Sequence, residues 1–232
     1  MKLYAIPTSL GGKPRDALPA PALETIAGLR HFVAENAKTA RAFLSAVGMQ
    51  SPIQDLAISV LDEHTASKDI PSLLQPLRDG HSLGLLSEAG CPAIADPGAA
   101  LVEAAHREGF SVAPLVGPSS LVLALMASGL EGQRFAFCGY LPREQKDRER
   151  KILYLEQRSR SEKETELFIE TPYRNDNLLA SLLKTCNENT LVCVAADLTL
   201  PSESIATRSV KQWRKAGAVI GRRPAVFLLY AP

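Results

Sequence analysis

The segment SEAGCPAIADPG, residues 87–98, places two carboxylates, Glu88 and Asp96, on a stretch stiffened by Pro92 and Pro97 and punctuated by Gly90 and Gly98. Carboxylates on a rigid loop can accept a proton or a ligand hydroxyl, and glycines beside them permit left-handed backbone or close approach of a ligand. A plainer reading stands beside this one: Asp96 caps a helix that Pro97 opens at its first position.

Three further stretches combine polar residues with turn chemistry. LVGPSS, residues 115–120, offers Gly117 as the turn, Pro118 at a first helical position, and the hydroxyls and backbone N–H groups of Ser119 and Ser120 at a helix start. Such a terminus attracts anions, although ordinary caps look the same in sequence. PTSLGG, residues 7–12, follows an apolar run, yet neither G-x-G-x-x-G nor G-x-x-x-x-G-K-[ST] occurs in the chain, so the nucleotide-binding fingerprints are absent. FIETPYR, residues 168–174, and AADLTLPSE, residues 195–203, each run from apolar into polar residues. There Glu170 and Arg174 can simply pair, and Asp197 can simply turn the chain. The run PREQKDRERK, residues 142–151, mixes cations with Glu144, Asp147 and Glu149, and therefore reads as a solvated helix face rather than a phosphate-binding tract.

The elements that must carry these loops alternate. Apolar runs at 3–6, 31–34, 56–60, 82–86 and 111–115 read as strands, with amphipathic helices between them, notably at 38–47 and 99–107. This rhythm predicts βα units and a mostly parallel sheet, whose ligands sit beyond the strands' carboxyl ends. After Leu130 the pattern changes to strands at 134–138, 166–170, 191–196, 203–207 and 225–230, with a charged helix after the first of them. The expected fold is α/β in two domains, 1–115 with the parallel sheet and 116–232 with a mixed sheet and helices.

Composition narrows the function classes. The 232 residues are 46% hydrophobic, ample for a core, and the formal charge of +1 provides no global attraction to nucleic acid or membrane. Cys91, Cys138, Cys186 and Cys193 form no CxxC pair and lack histidines at ligand spacing, so neither a metal site nor a disulfide framework is expected. The apolar stretch 115–130 is interrupted by Gly117, Pro118 and three serines, and falls short of the roughly 20 residues of a membrane span. A cytoplasmic protein is the expectation.

Taken in order, LYAIPTSLGG, SEAGCPAIADPGAALVEAA, LVGPSS, FAFCGYLP, LFIETPYR and ADLTLPSE resemble the S-adenosylmethionine-dependent tetrapyrrole methylase family, and within it the small-subunit ribosomal RNA methyltransferase branch. The resemblance implies a tetrapyrrole-methylase-like fold, a homodimer, and S-adenosylmethionine bound in a cleft between the domains. It assigns cofactor contact to Pro7, to Ser87, Glu88, Ala89 and Gly90, to Asp96, Pro97 and Gly98, and to Gly117, Pro118, Ser119 and Ser120. From the second domain it adds Thr171, Pro172, Ala196, Asp197, Leu198 and Thr199. No metal is implied.

The implied reaction is methylation of 16S ribosomal RNA at a ribose 2′-oxygen, with Glu88 and Glu35 as the candidate bases and Lys38 and Arg174 facing the substrate. Several departures keep two alternatives open: methylation of a tetrapyrrole or other small molecule, and cofactor binding without turnover. Glu88 stands for the branch's Asp, Asn36-Ala37-Lys38 for Asp-Thr-Arg, Tyr173 for His, Asp197 for Glu, and Leu200 for Lys. Branch members also continue into a helical extension, whereas GRRPAVFLLYAP ends at Pro232. The expectation thus rests more on the cofactor than on the acceptor.

Overall fold

The computed structural model describes residues 1–217 and 219–232. Contacts divide the chain into two compact units, Met1–Ser119 and Ser120–Pro232. In the first, the strands are β1 (Lys2–Ile6), β2 (His31–Ala34), β3 (Ala57–Val60), β4 (Leu83–Leu86) and β5 (Ser111–Pro114), and the helices are α1 (Pro14–Ala17), α2 (Ala20–Ala27), α3 (Ala37–Val47), α4 (Gln75–Arg78) and α5 (Ala99–Arg107). The sheet order is β3-β2-β4-β1-β5 with every pair parallel.

Period-two alternation explains how one short strand serves two cores. On β2, Phe32 and Ala34 join Ile6 and Leu86 in one buried cluster, while Val33 joins Leu3, Leu83 and Leu85 in another. Both faces are covered, as a parallel sheet requires. On β4, a side chain at Gly84 would put its Cβ 2.7 Å from both Ile6 and Phe32, so glycine lets neighbouring strands carry the larger residues.

The second unit contains β6 (Phe135–Tyr140), β7 (Thr165–Ile169), β8 (Leu191–Ala196), β9 (Ser204–Ser209) and β10 (Ala225–Tyr230), with α6 (Ser120–Ser128), α7 (Gln145–Glu162), α8 (Asn175–Thr185) and α9 (Val210–Ala216). Its order is β6-β7-β10-β8-β9. Only the β6/β7 pair in this sheet is parallel; β7/β10, β10/β8 and β8/β9 are antiparallel. Phe168 and Phe227 stack at 6.1 Å on paired positions of β7 and β10. Charged α7 buries Arg148, Ile152, Leu155, Glu156 and Ser159, a helical-period stripe. The charged run at 142–151 is therefore not wholly solvated, because Arg148 lies within that stripe.

Two expected helix starts are corrected. The helix after β4 begins at Ala99 with Gly98 as its N-cap and no side-chain cap, so Asp96 does not cap it and Pro97 is not its first residue. Similarly α6 begins at Ser120, leaving Pro118 in the preceding connection rather than at a first helical position. Nor does Gly98 take a left-handed angle: its φ is −61°. Its missing side chain instead makes room for Leu85, whose Cδ2 would lie 2.9 Å from an added Cβ.

Candidate functional site

In the first unit, the loops leaving β1, β2, β4 and β5 converge at the carboxyl ends of the strands. Thr8, after β1, and Gly90, after β4, pair through both backbone groups: Thr8 N donates to Gly90 O at 2.8 Å and Gly90 N to Thr8 O at 3.2 Å. Gly90 has φ +79°, a conformation that strains residues with a Cβ. The Ser87 hydroxyl donates to the same Gly90 carbonyl at 2.9 Å. Cys91 Sγ donates to Pro118 O at 3.5 Å, tying in the loop after β5. Gly117 packs so closely on Pro7 that an added Cβ would lie 2.5 Å from the proline Cβ. Close approach, rather than turning, is what requires glycine there.

A cavity of ≈ 260 Å³ opens beside these loops, walled by Thr8, Ser9, Thr39, Phe43, Ser87 and Glu88 among others. Thr8 Oγ1 is buried and has no hydrogen-bond partner among the described residues, the one arrangement a buried hydroxyl does not adopt without cost unless a ligand or water completes it. Thr39 Oγ1 lies 3.4 Å from Glu88 Oε1 and can donate to it. Neither threonine was singled out by its motif; Thr8 lay within PTSLGG, directly after a strand end, which was the available signal.

The loop after β2 brings Glu35 against the 87–98 segment, where it meets Asp96 and Glu88. Burial first, then the negative charges of Asp96 and Glu88, raise the Glu35 carboxyl from an ordinary 4.5 to about 7. Burial and Glu88 likewise raise Asp96. Like charges drawn from water together favour protonation, so Glu35 takes up a proton near neutral pH and Asp96 is shifted in the same direction. Ala93 and Ala95 on the same loop have φ of 66° and 63°, each costing about 1–2 kcal/mol for an L-residue. Buried Pro92 and the Gly98–Leu85 contact hold this strained backbone in place.

In the second unit, Thr171 and Pro172 follow β7. Arg174 is turned back on that segment: its Nε donates to Glu170 Oε1 at 2.9 Å and to Thr171 Oγ1 at 3.1 Å, and its Nη2 also binds Glu170. Asp197, Leu198 and Thr199 follow Ala196 at the end of β8. Asp197 and Thr199 have φ of 51° and 70°, and Asp197 Oδ2 accepts from Arg223 Nε at 2.7 Å. That partner holds the Asp197 carboxyl below the usual range. The pairing of Glu170 with Arg174 and the turn at Asp197, the plain readings of the sequence, are both present.

A model of the tetrapyrrole (corrin/porphyrin) methylases matches residues 2–213. The chain belongs to this family. A ribosomal RNA small subunit methyltransferase I from Haemophilus influenzae is 30% identical over 213 residues, covering 92% of this chain and 71% of the relative. Its counterpart from Xylella fastidiosa is 35% identical over 172 residues, covering 74% and 60%. Among solved structures, the methyltransferase CobJ superposes with a TM-score of 0.65 at 18% identity, over 100% of this chain and 99% of that one. A uroporphyrin-III-C-methyltransferase from Thermus thermophilus gives 0.58 at 19% identity, over 99% and 91%. These two likenesses establish the fold, the two-domain α/β architecture of this methylase family.

The departures of this methylase from its branch acquire local explanations. Asn36 is the N-cap of α3, its Oδ1 accepting from Lys38 N at 2.9 Å and Thr39 N at 3.3 Å, a role Asp or Asn fills equally. Lys38 is exposed on the first turn of that helix. Tyr173 stands exposed with the Arg174 guanidinium 5.8 Å from its ring centre. Among the described residues no group of three or more His, Cys, Asp or Glu could hold a metal, and no helix is long and apolar enough to cross a membrane.

Proposed function

We propose that this methylase binds S-adenosylmethionine at the carboxyl ends of the first unit's strands and methylates 16S ribosomal RNA at a ribose 2′-oxygen. The observation that carries the acceptor is the 30–35% identity, along most of the chain, to relatives named ribosomal RNA small subunit methyltransferase I. For the cofactor, the cavity chemistry is suitable: an unpartnered buried Thr8 hydroxyl and a Glu88 carboxylate for hydroxyl or ammonium groups, with Gly90 on the same loop as Glu88. Ser87, Ala89, Gly117, Pro118 and Ser119 belong to the same loops, and Ser120, Thr171, Pro172, Ala196, Leu198 and Thr199 complete the contact set in this reading. Asp96 moves from the cofactor contacts to the proton-handling pair, and Asp197 supports its own turn through Arg223.

S-adenosylmethionine, when bound, supplies an electrophilic methyl group on a sulfonium. The protein's part is to hold an acceptor oxygen in line and to exclude water, which together supply about 7–11 kcal/mol of a typical barrier. A ribose hydroxyl must also lose its proton. A Glu35 carboxyl tuned to about 7 accepts one at physiological pH more readily than an ordinary carboxylate does. Homodimerisation in the cytoplasm belongs to the same reading, and the exposed Met126 on the apolar helix α6 is in keeping with a covered face.

One observation favours a small-molecule acceptor instead. Arg174 and Arg223, two cations that would contribute to an RNA-facing surface, are neutralised by Glu170 and Asp197. Transfer of labelled methyl groups to undermethylated small ribosomal subunits, run beside a tetrapyrrole panel, separates the readings. Label in 16S RNA supports the first, label only in a pigment supports the second, and label in neither refutes both.

A further inference from the structure

Arg148, in the first turns of α7, is 8% exposed and takes part in no ion pair among the described residues. Its bonds are to neutral acceptors: Nε donates to Ser181 Oγ at 2.9 Å, and Nη1 to the carbonyls of Arg143 at 2.8 Å and Pro142 at 3.5 Å. A guanidinium removed from water without a direct ion pair is costly. The Nη2 group takes part in none of these bonds, and Arg148 lines a groove of ≈ 280 Å³ between α7 and α8. The remaining walls are Gln145, Asn177, Ala180, Ser181 and Lys184, with no carboxylate among them. Glu149, whose carboxyl also feels the Arg148 charge, is bonded by Lys184 Nζ at 2.9 and 3.1 Å and by Gln145 Nε2 at 2.8 Å. Two cations, Arg148 and Lys184, therefore share this one carboxylate, which stands outside the lining of a concave surface rich in hydrogen-bond donors.

We propose that this groove binds a phosphate group, with Arg148 as the buried anchor and Lys184 at the rim. A planar fork whose position is fixed by three other bonds suits a tetrahedral oxyanion, and the amides of Gln145 and Asn177 add neutral donors. The site shares no residue with the loops of the first unit and stands whether or not the RNA reading is correct. It also changes the meaning of the charged run at 142–151, whose useful cation is the one folded inward.

The full chain tests this by amide chemical-shift mapping during titration with sodium phosphate, against sodium chloride at matched ionic strength. Saturable shifts confined to residues 145–149 and 177–184 are expected with phosphate alone. Ala180→Glu, at an exposed position of α8, places a carboxylate in the groove without removing any bond of Arg148, and should weaken binding about tenfold or more. Arg148→Lys keeps the charge but loses the fork, and should weaken binding as well. A short single-stranded oligoribonucleotide as second titrant identifies the source: the same amides shifting at lower concentration indicate a polymer phosphate, and shifts with inorganic phosphate alone indicate a small anion. Identical responses to chloride and phosphate, or unchanged binding by Ala180→Glu, would overturn the proposal.

Discussion

Replacing Glu35 with Gln removes the carboxyl that its surroundings raise to about 7. Raising Glu35 from 4.5 to about 7 corresponds to roughly 3 kcal/mol at about 1.36 kcal/mol per pH unit. Glu35 retains contact with solvent, so screening reduces the usable figure to about 1–2 kcal/mol. Because the folded-state value lies above the unfolded one, the folded protein holds an extra proton between them. The corresponding stability is fully present below pH 4.5, declines as pH rises, and is lost above about 7. Denaturant midpoints at pH 5 and pH 8 should show the native chain losing about 1–2 kcal/mol relative to Glu35→Gln over that interval. Carboxyl carbon NMR gives the titration directly, with a Glu35 midpoint near 7 that Asp96→Asn moves toward the ordinary range. A pH-independent stability difference, or a Glu35 midpoint near 4.5 in the native protein, would refute the assignment of a raised Glu35.

Other perturbations test the loops. Gly90→Ala forces a Cβ onto a backbone at φ +79° and 3.2 Å from Leu10, and should cost about 1–2 kcal/mol by thermal unfolding while lowering S-adenosylmethionine affinity in calorimetry. Gly117→Ala drives a Cβ into Pro7, and a loss of about 1–3 kcal/mol is expected, with full stability in the variant contradicting the packing assignment. Asn36→Ala removes the α3 cap and should cost about 1 kcal/mol, whereas Asn36→Asp should retain it.

Much of the fold was legible because short apolar runs and helical periodicity were clean. The helix at 99–107 lies where its pattern placed it, and the five strands of the first unit fall within a residue or so of their apolar runs. Helix starts were less legible: Asp96 and Pro97 carry strong capping statistics, yet the chain needs a strained turn through Ala93 and Ala95 before α5 can begin. Alanine at left-handed φ leaves no mark in sequence, since tertiary contacts alone hold it there. Glycine roles divided similarly. Gly90 is used for its backbone angle, as expected, but Gly98 and Gly117 are used for packing against Leu85 and Pro7, partners that sequence does not announce. The Glu35–Asp96 pairing joins residues 61 positions apart and became visible only once β2 and β4 were placed side by side.

The central claim is methylation of a ribose hydroxyl in 16S RNA, and nucleoside analysis tests it most directly. Undermethylated small subunits are incubated with the protein and methyl-labelled S-adenosylmethionine, and the 16S RNA is then digested to nucleosides and resolved by mass spectrometry. The account predicts label in a single 2′-O-methylated nucleoside, formed with a rate that rises with pH through about 7 and falls sharply in Glu35→Gln. Label confined to a base-methylated nucleoside, or an RNA left unlabelled by protein that binds the cofactor, would contradict it.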